Sequence, residues 1–190
     1  MMEERVFDPA KLDRLNNPAR QQDFPLDYVI KITGMENPEV MIDLGAGTAF
    51  FSVPFARRFE NCKIYACDIS DVMIEWMKKN IVPQYPKIFP LKIADSKIPL
   101  EDGVADFIFT VNLHHELEHP DETLSECYRL LKPGGIFVIS DWKKEKMERG
   151  PSYELRYTSD EVTNQVAKSG FREIEIYTDF PHNFLVKAQK

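Results

Sequence analysis

The 190-residue sequence predicts an α/β fold: a doubly wound sheet of seven strands, mostly parallel, finished by an antiparallel C-terminal hairpin. Three observations carry this. Short apolar runs alternate with amphipathic segments through most of the chain, the pattern that builds a parallel sheet covered by helices. The strand runs are rich in Ile, Val, Phe and Leu throughout instead of alternating, as burial on both faces requires. The last 20 residues differ, because FREIEIYTDF and HNFLVKAQK are two alternating runs joined across Pro181.

Taken in order, residues 1–25 are polar, carry Pro9, Pro18 and Pro25, and show a short helical stretch at Ala10 to Leu15. This reads as a lid or arm. Leu26 to Thr33 has apolar residues at helical spacing and stops before Gly34. Residues 1–35 are therefore taken as an N-terminal arm with a short helix, and 36–190 as the core of one domain. Strands are expected at Val40–Leu44, Lys63–Cys67, Phe89–Ile93, Ala105–Val111 and Gly135–Ser140, with helices near Phe50–Arg58, Asp71–Lys79 and Asp121–Leu131. Ser70 is placed to cap the second of these helices, and Pro120, Asp121 and Glu122 suit the first turn of the third. Pro54 falls near the start of its helix, where backbone donors lack partners anyway. After the polar stretch Asp141–Tyr157, Thr158-Ser-Asp-Glu161 has the form of a capping box, and Gly170 ends the helix it opens.

Composition narrows the function classes. Hydrophobic residues at 43% and charged residues at 29% are ordinary globular values. No apolar run approaches the roughly 20 residues of a membrane-spanning helix, and the charged start MMEERVFDPAKLD is unlike a signal peptide, so a cytoplasmic protein is expected. Cys62, Cys67 and Cys127 lack close metal-ligand spacing and read as reduced packing thiols. A net charge of −7 disfavours nonspecific binding to nucleic acid and points to a small molecule or a protein as partner. Oligomeric state is not legible.

The most informative stretch is Val40-Met-Ile-Asp-Leu-Gly-Ala-Gly-Thr-Ala-Phe50, a buried strand entering a glycine turn and then a helix. Glycines allow a ligand to approach the backbone at the carboxyl end of a parallel strand, where doubly wound sheets bind nucleotides. Asp68 follows Gly47 by 21 residues at the end of the second strand. A carboxylate there hydrogen-bonds adenosine ribose hydroxyls, or else caps the following helix. Asp95, with Ser96, lies at the same edge, facing an adenine amine or simply filling a turn. A nicotinamide loop wants glycine where this chain has Phe50. Asp43, just before the glycines, would repel a pyrophosphate but receive the ammonium of an amino acid, and adenosylmethionine carries an ammonium and no phosphate.

On IDLGAGTAF, YACDIS, ADSKIPLEDGVADFIFTVNLHHEL and LLKPGGIFVISDW, the chain resembles the class I S-adenosylmethionine-dependent methyltransferases, a Rossmann-like group. Within it the similarity is greatest to the small-molecule branch containing the ubiquinone and menaquinone methyltransferases, over roughly residues 36 to 188. The resemblance implies S-adenosyl-L-methionine as cofactor, with Asp43, Gly45 and Gly47 at its methionine end, Asp68 on the ribose and Ile69 against adenine. It also implies Asp95 and Ser96 at the adenine edge, and Asn112 and Leu113 on the pocket floor. Where the family's loop usually has a third glycine, this chain has Ala49.

Methyl transfer from a sulfonium needs chiefly position and a suitable electrostatic surround. A general base is required only for an acceptor that loses a proton, and His114 and His115 are the candidates; each otherwise reads as an aromatic wall. His114, His115, Glu116 and His119 do not match a metal-ligand spacing, and no metal is expected. Phe24, Tyr28, Trp142 and Tyr153, with Arg149, Arg156 and Tyr157, are the expected pocket walls, suited to a flat, greasy acceptor. The basic run Lys143, Lys144, Lys146 and Arg149 reads as a solvated loop. The favoured function is methyl transfer to a small-molecule acceptor; the alternative is a non-catalytic protein that holds S-adenosylmethionine or S-adenosylhomocysteine.

Overall fold

The computed structural model describes residues 12–94 and 97–190. Its strands are β1 (Val40–Leu44), β2 (Lys63–Asp68), β3 (Ile88–Lys92), β4 (Ala105–Val111), β5 (Leu131–Trp142), β6 (Arg172–Tyr177) and β7 (Asn183–Gln189). Its α-helices are α1 (Leu12–Leu15), α2 (Leu26–Thr33), α3 (Ser52–Arg58), α4 (Asp71–Asn80), α5 (Pro120–Leu130) and α6 (Ser159–Lys168). The strands form one sheet in the order β3-β2-β1-β4-β5-β7-β6. Pairs among β1 to β5 are parallel, whereas β7 lies antiparallel between β5 and β6. The expected α/β sheet with its terminal hairpin is therefore the observed one. Of the short helix expected from Ala10, only Leu12–Leu15 is described, because Ala10 and Lys11 lie outside the described residues.

Local chemistry accounts for the boundaries. The Ser70 side chain accepts from the Met73 amide, and Thr158 and Glu161 complete the reciprocal capping box of α6. Helix α3 begins at Ser52, two residues later than expected, so Pro54 is its third residue and removes no hydrogen bond that the helix needs. Pro90 is tolerated because β3 is an edge strand.

β5 is longer than expected and follows α5 without a connecting loop. Leu131 pairs with Ala105, and the register then shifts before Ile136 pairs with Phe107. Lys132-Pro-Gly-Gly makes this shift possible, since Gly134 has φ +79° and a Cβ at Gly135 would stand 2.9 Å from the Lys132 carbonyl. Lys132 Nζ donates to Asp106 at 2.7 Å, while Asp106 accepts the Glu39 and Val40 amides at 2.9 Å. Burial works against the Asp106 charge, but these three donors override it and hold the carboxyl below its usual range.

Two apolar layers sandwich the sheet. One unites Phe24 and Val29 with Phe55, Ile74, Phe107, Phe109 and Leu185; the other unites Ile42, Ile108, Phe137 and Phe184 with Leu124, Val162 and Val166. Phe24 stacks on Phe109 with ring centroids 5.4 Å apart, which ties the N-terminal segment to the first layer. The three cysteines are buried, as packing residues should be.

Arg156, expected in the acceptor pocket, instead organises the polar stretch after β5. Its guanidinium donates to the carbonyls of Lys143, Glu145, Arg149 and Pro151 at 2.7–3.2 Å, and it is buried. Arg156→Ala strands those carbonyls and should cost about 2–4 kcal/mol, lowering Tm by roughly 5–15 °C. Calorimetric unfolding measures it, and an unchanged Tm would contradict the clamp.

Candidate functional site

The carboxyl ends of β1, β2, β4 and β5 meet at one edge of the sheet, where a parallel sheet leaves a crevice between its diverging loops. After Leu44 the chain turns tightly: the Gly45 and Ala46 amides both donate to the Cys67 carbonyl, at 2.9 and 3.0 Å, and the Gly47 amide donates to Asp68 Oδ2 at 2.8 Å. Gly45 and Gly47 have φ +75° and +55°, and a Cβ at Gly45 would come within 2.7 Å of the Leu113 side chain. Glycine is required here by both conformation and space. Ala49 also has φ +55° and is buried, so the residue in place of a third glycine keeps the left-handed turn at a cost of about 1 kcal/mol.

Two carboxylates face this turn. Asp43 is buried, and its Oδ2 accepts from Ser52 Oγ at 2.6 Å. Burial pushes its pKa up to about 7; the Ser52 bond opposes this and the neighbouring Asp68 adds to it. Asp68 Oδ1 accepts the Ser70 amide at 2.8 Å, opposite the Gly47 contact. Burial raises its pKa too, against the pull of these amides. Each Asp68 oxygen keeps a lone pair for a further donor. Ile69 is half exposed beside it, free to cover a planar group.

This donor set fits S-adenosylmethionine. A buried acid behind the glycine turn suits an ammonium, the paired oxygens of Asp68 suit a ribose diol, and nothing in the turn would welcome a phosphate. Leu113 covers Gly45, and Asn112, at φ +57°, starts the loop after β4. Asp95 and Ser96 lie outside the described residues. The arm reaches the same turn: Leu15 would be the first atom group met by a Cβ at Gly47, at 3.4 Å, and the Arg20 guanidinium lies over the rings of Phe50 and Phe51 while donating to the Leu15 carbonyl. Arg20 is also within electrostatic reach of Asp43.

The two histidines diverge. His114 Nε2 lies 2.7 Å from Gln165 Oε1 of α6 and the ring meets Tyr157 edge-on, so His114 is a buried wall under α6; burial lowers its pKa despite Asp141 and Gln165. His115 instead forms a dyad with Asp141, Nδ1 to Oδ1 at 2.7 Å, while Asp141 also accepts the amides of His115 and Trp142. Burial alone would lower the His115 pKa, but Asp141 outweighs it and the net shift is upward; the Asp141 carboxyl correspondingly falls below its usual range. Glu116 stands 3.8 Å from His115 Nε2, and burial lifts its carboxyl to about 7. Glu116 was weighed in the sequence only as part of a metal group and Asp141 was not weighed at all; the signal that could have found Asp141 is a carboxylate at the end of a parallel strand, beside a loop carrying histidines.

The expected pocket walls scatter. Phe24 is core, Tyr28 packs edge-on against Tyr177 and Phe180, and Tyr153 is exposed in a 3-10 turn. Trp142 stays at the sheet edge, with His182 and the Arg149 and Arg156 guanidinium groups around its ring. The aromatic positions were set by packing needs on different faces, so they do not form one apolar wall. Among the described residues, no group of three or more His, Cys, Asp or Glu is arranged to hold a metal ion, and no helix is long and apolar enough to cross a membrane.

Residues 42–139, just over half of the chain, match the family model described as a methyltransferase domain. The chain is 31% identical to a SAM dependent methyltransferase from Aquifex aeolicus of known crystal structure, with a TM-score of 0.88 over 97% of this chain and 99% of that one. It is 35% identical over 115 residues to the demethylmenaquinone methyltransferase of Streptomyces avermitilis, covering 60% of this chain and 47% of that protein. It is also 25% identical over 159 residues to a malonyl-[acyl-carrier protein] O-methyltransferase of Geobacter sulfurreducens, covering 75% and 59%. The chain thus spans about half the length of these curated relatives. With a methyltransferase-domain match laid over the glycine turn and both of its acids, the chain belongs to the class I S-adenosylmethionine-dependent methyltransferase family.

Proposed function

We propose that this protein is a cytoplasmic enzyme that transfers a methyl group from S-adenosylmethionine to a small-molecule acceptor, using residues 36–190 as the catalytic core and the segment before them as an arm over the site. The observation that carries the reading is the buried acid pair Asp43 and Asp68 held around the glycine turn. When bound, S-adenosylmethionine supplies a methyl group already activated by the positive sulfonium.

The chain's own residues then divide the remaining work. Asp43 receives the ammonium, while Asp68 holds the ribose hydroxyls with Ile69 against the adenine. Asp95 and Ser96 stand at the adenine edge, Gly45 and Gly47 let the ligand approach the backbone, and Asn112 and Leu113 line the floor. His115 takes the proton from an acceptor that must lose one, and Asp141 orients its ring through Nδ1 and stabilises the imidazolium. His114, engaged by Gln165, supports this loop without handling a proton. The two curated relatives above bear names with unlike acceptors, so the acceptor class must be sought in this chain's own pocket.

Methyl-labelled S-adenosylmethionine incubated with the protein and a cell extract tests the activity directly. A labelled product supports it; cofactor binding without any labelled product favours a holding protein. Asp68→Ala should weaken S-adenosylhomocysteine binding by about 1.5–3 kcal/mol for each ribose hydrogen bond lost, roughly tenfold or more. Calorimetry reads this, and unchanged affinity contradicts the ribose assignment.

The pH dependence has a definite sign. Asp43 must be ionised to hold an ammonium, and its pKa in the free protein is about 7. Affinity for S-adenosylmethionine should therefore rise as pH increases through 7, then fall above about 8, where an α-amino group loses its proton. Asp43→Asn should weaken binding and remove the rise on the acid side; a wild-type affinity that is flat from pH 6 to 7.5 contradicts the pairing. The dyad gives a separate outcome. Asp141 raises the His115 pKa, so turnover limited by a protonated base should recover at lower pH in Asp141→Asn, with a reduced maximum and unchanged cofactor affinity. A pH profile that keeps its acid limb in place contradicts a proton-transfer role for the dyad.

A further inference from the structure

On β5, Ser140 and Trp142 face the layer of Phe24 and Phe109, whereas Asp141 faces the other. The first face carries a buried polar cluster next to the cofactor turn. Ser140 Oγ donates to the Asp23 carbonyl at 2.7 Å, and Asn183 Nδ2 donates to Asn112 Oδ1 at 2.7 Å and to Ser140 Oγ at 3.2 Å. These two bonds orient the Asn183 amide, leaving its oxygen directed elsewhere. Asp23 and Asn183 are 2% and 0% exposed. Yet Asp23 Oδ2, Asn183 Oδ1 and His182 Nδ1 are buried without a hydrogen-bond partner among the described residues.

Three unpaired polar atoms in one buried cluster are expensive, typically about 1–3 kcal/mol each. The fold uses the Asn183 amide nitrogen, through Asn112 and Ser140, but leaves its oxygen unused. Two of the atoms, both oxygens, can only accept from a partner when Asp23 is ionised. Burial raises the Asp23 carboxyl above its usual range, against the opposing pull of Arg149, Arg20 and the Asn112 side chain, so two guanidinium groups already act on it. A second cation would be repelled, whereas a neutral donor would not. Asn112, bonded to Asn183, precedes Leu113, whose side chain covers Gly45, and this sets the cluster beside the glycine turn, where the methyl group would be presented. The Trp142 ring, 6.3 Å from the His182 ring, closes one side.

We propose that Asp23, Asn183 and His182 form the acceptor subsite and that the group it grips is a hydroxyl of a neutral, polar small molecule. The inference rests on the methyl-transfer reading above and sharpens it. It replaces the flat, greasy acceptor expected from aromatic residues, most of which are packed elsewhere. Hydroxyl recognition through buried acceptors also implies strong rejection of molecules lacking the donor, since the same atoms are then left unpaired.

Calorimetric titration of the protein saturated with S-adenosylhomocysteine tests this, using glycerol and catechol, each against its fully O-methylated counterpart. The capped compounds keep the carbon frame and lose the donors. At least one hydroxylated probe should bind at least tenfold more tightly than its capped form, and Asp23→Asn should erase most of that difference while S-adenosylhomocysteine affinity stays within about twofold. Should Asp23→Asn prove unstable, His182→Phe keeps a ring against Trp142, removes Nδ1 and should weaken the hydroxylated probe several-fold. Equal binding of capped and uncapped probes, no binding of either, or an undiminished preference in the variants overturns the subsite. Failure of S-adenosylhomocysteine itself to bind would instead refute the cofactor reading.

Discussion

Everything at the upper edge of this sheet depends on the tie between the loop after β1 and the end of β2. Three backbone amides in succession, at Gly45, Ala46 and Gly47, are anchored to the Cys67 carbonyl and the Asp68 carboxylate. That anchoring needs left-handed backbone at Gly45 and Gly47, and it brings Asp68 close enough to raise the cost of charge on Asp43. Packing alone would not gather two acids in a buried corner. On the proposed reading, the arrangement becomes favourable when a ligand brings positive charge to Asp43 and hydroxyl donors to Asp68.

The same edge separates two kinds of polar work onto the two faces of β5. Asp141 and His115 lie on the side of α5 and α6 as a hydrogen-bonded pair, with Asp141 satisfied by three short contacts. Asp23, Ser140 and Asn183 lie on the opposite side with acceptor atoms left over. The N-terminal arm joins them to the cofactor turn, since Arg20 acts on both Asp23 and Asp43.

Much of this was legible in the sequence, for physical reasons. Buried parallel strands must be continuously apolar and their helices amphipathic, so the element order, the Ser70 cap and the Thr158 capping box could be read from local patterns. The glycine turn and the place of Asp68 at the end of β2 were legible because positive φ and close packing restrict residue choice in such a turn. The extension of β5 to Leu131 was not, because it passes through a register shift carried by the Gly134-Gly135 backbone. Nor was the difference between His114 and His115, adjacent in sequence but pointed at different partners, Gln165 and Asp141. Arg156 looked like a pocket residue, yet its neighbours are carbonyls of a loop that sequence cannot place. The acceptor cluster was least visible of all, because Asp23, Asn112, Ser140 and Asn183 come from four separate parts of the chain.

The most direct test of the central claim is a crystal structure of the protein with S-adenosylhomocysteine. The account requires the ribose hydroxyls on Asp68 and the amino group at Asp43, with the sulfur side of the ligand turned toward the cluster of Asp23 and Asn183. A nucleoside bound elsewhere, or lying over the glycine turn with its ribose away from Asp68, would contradict it.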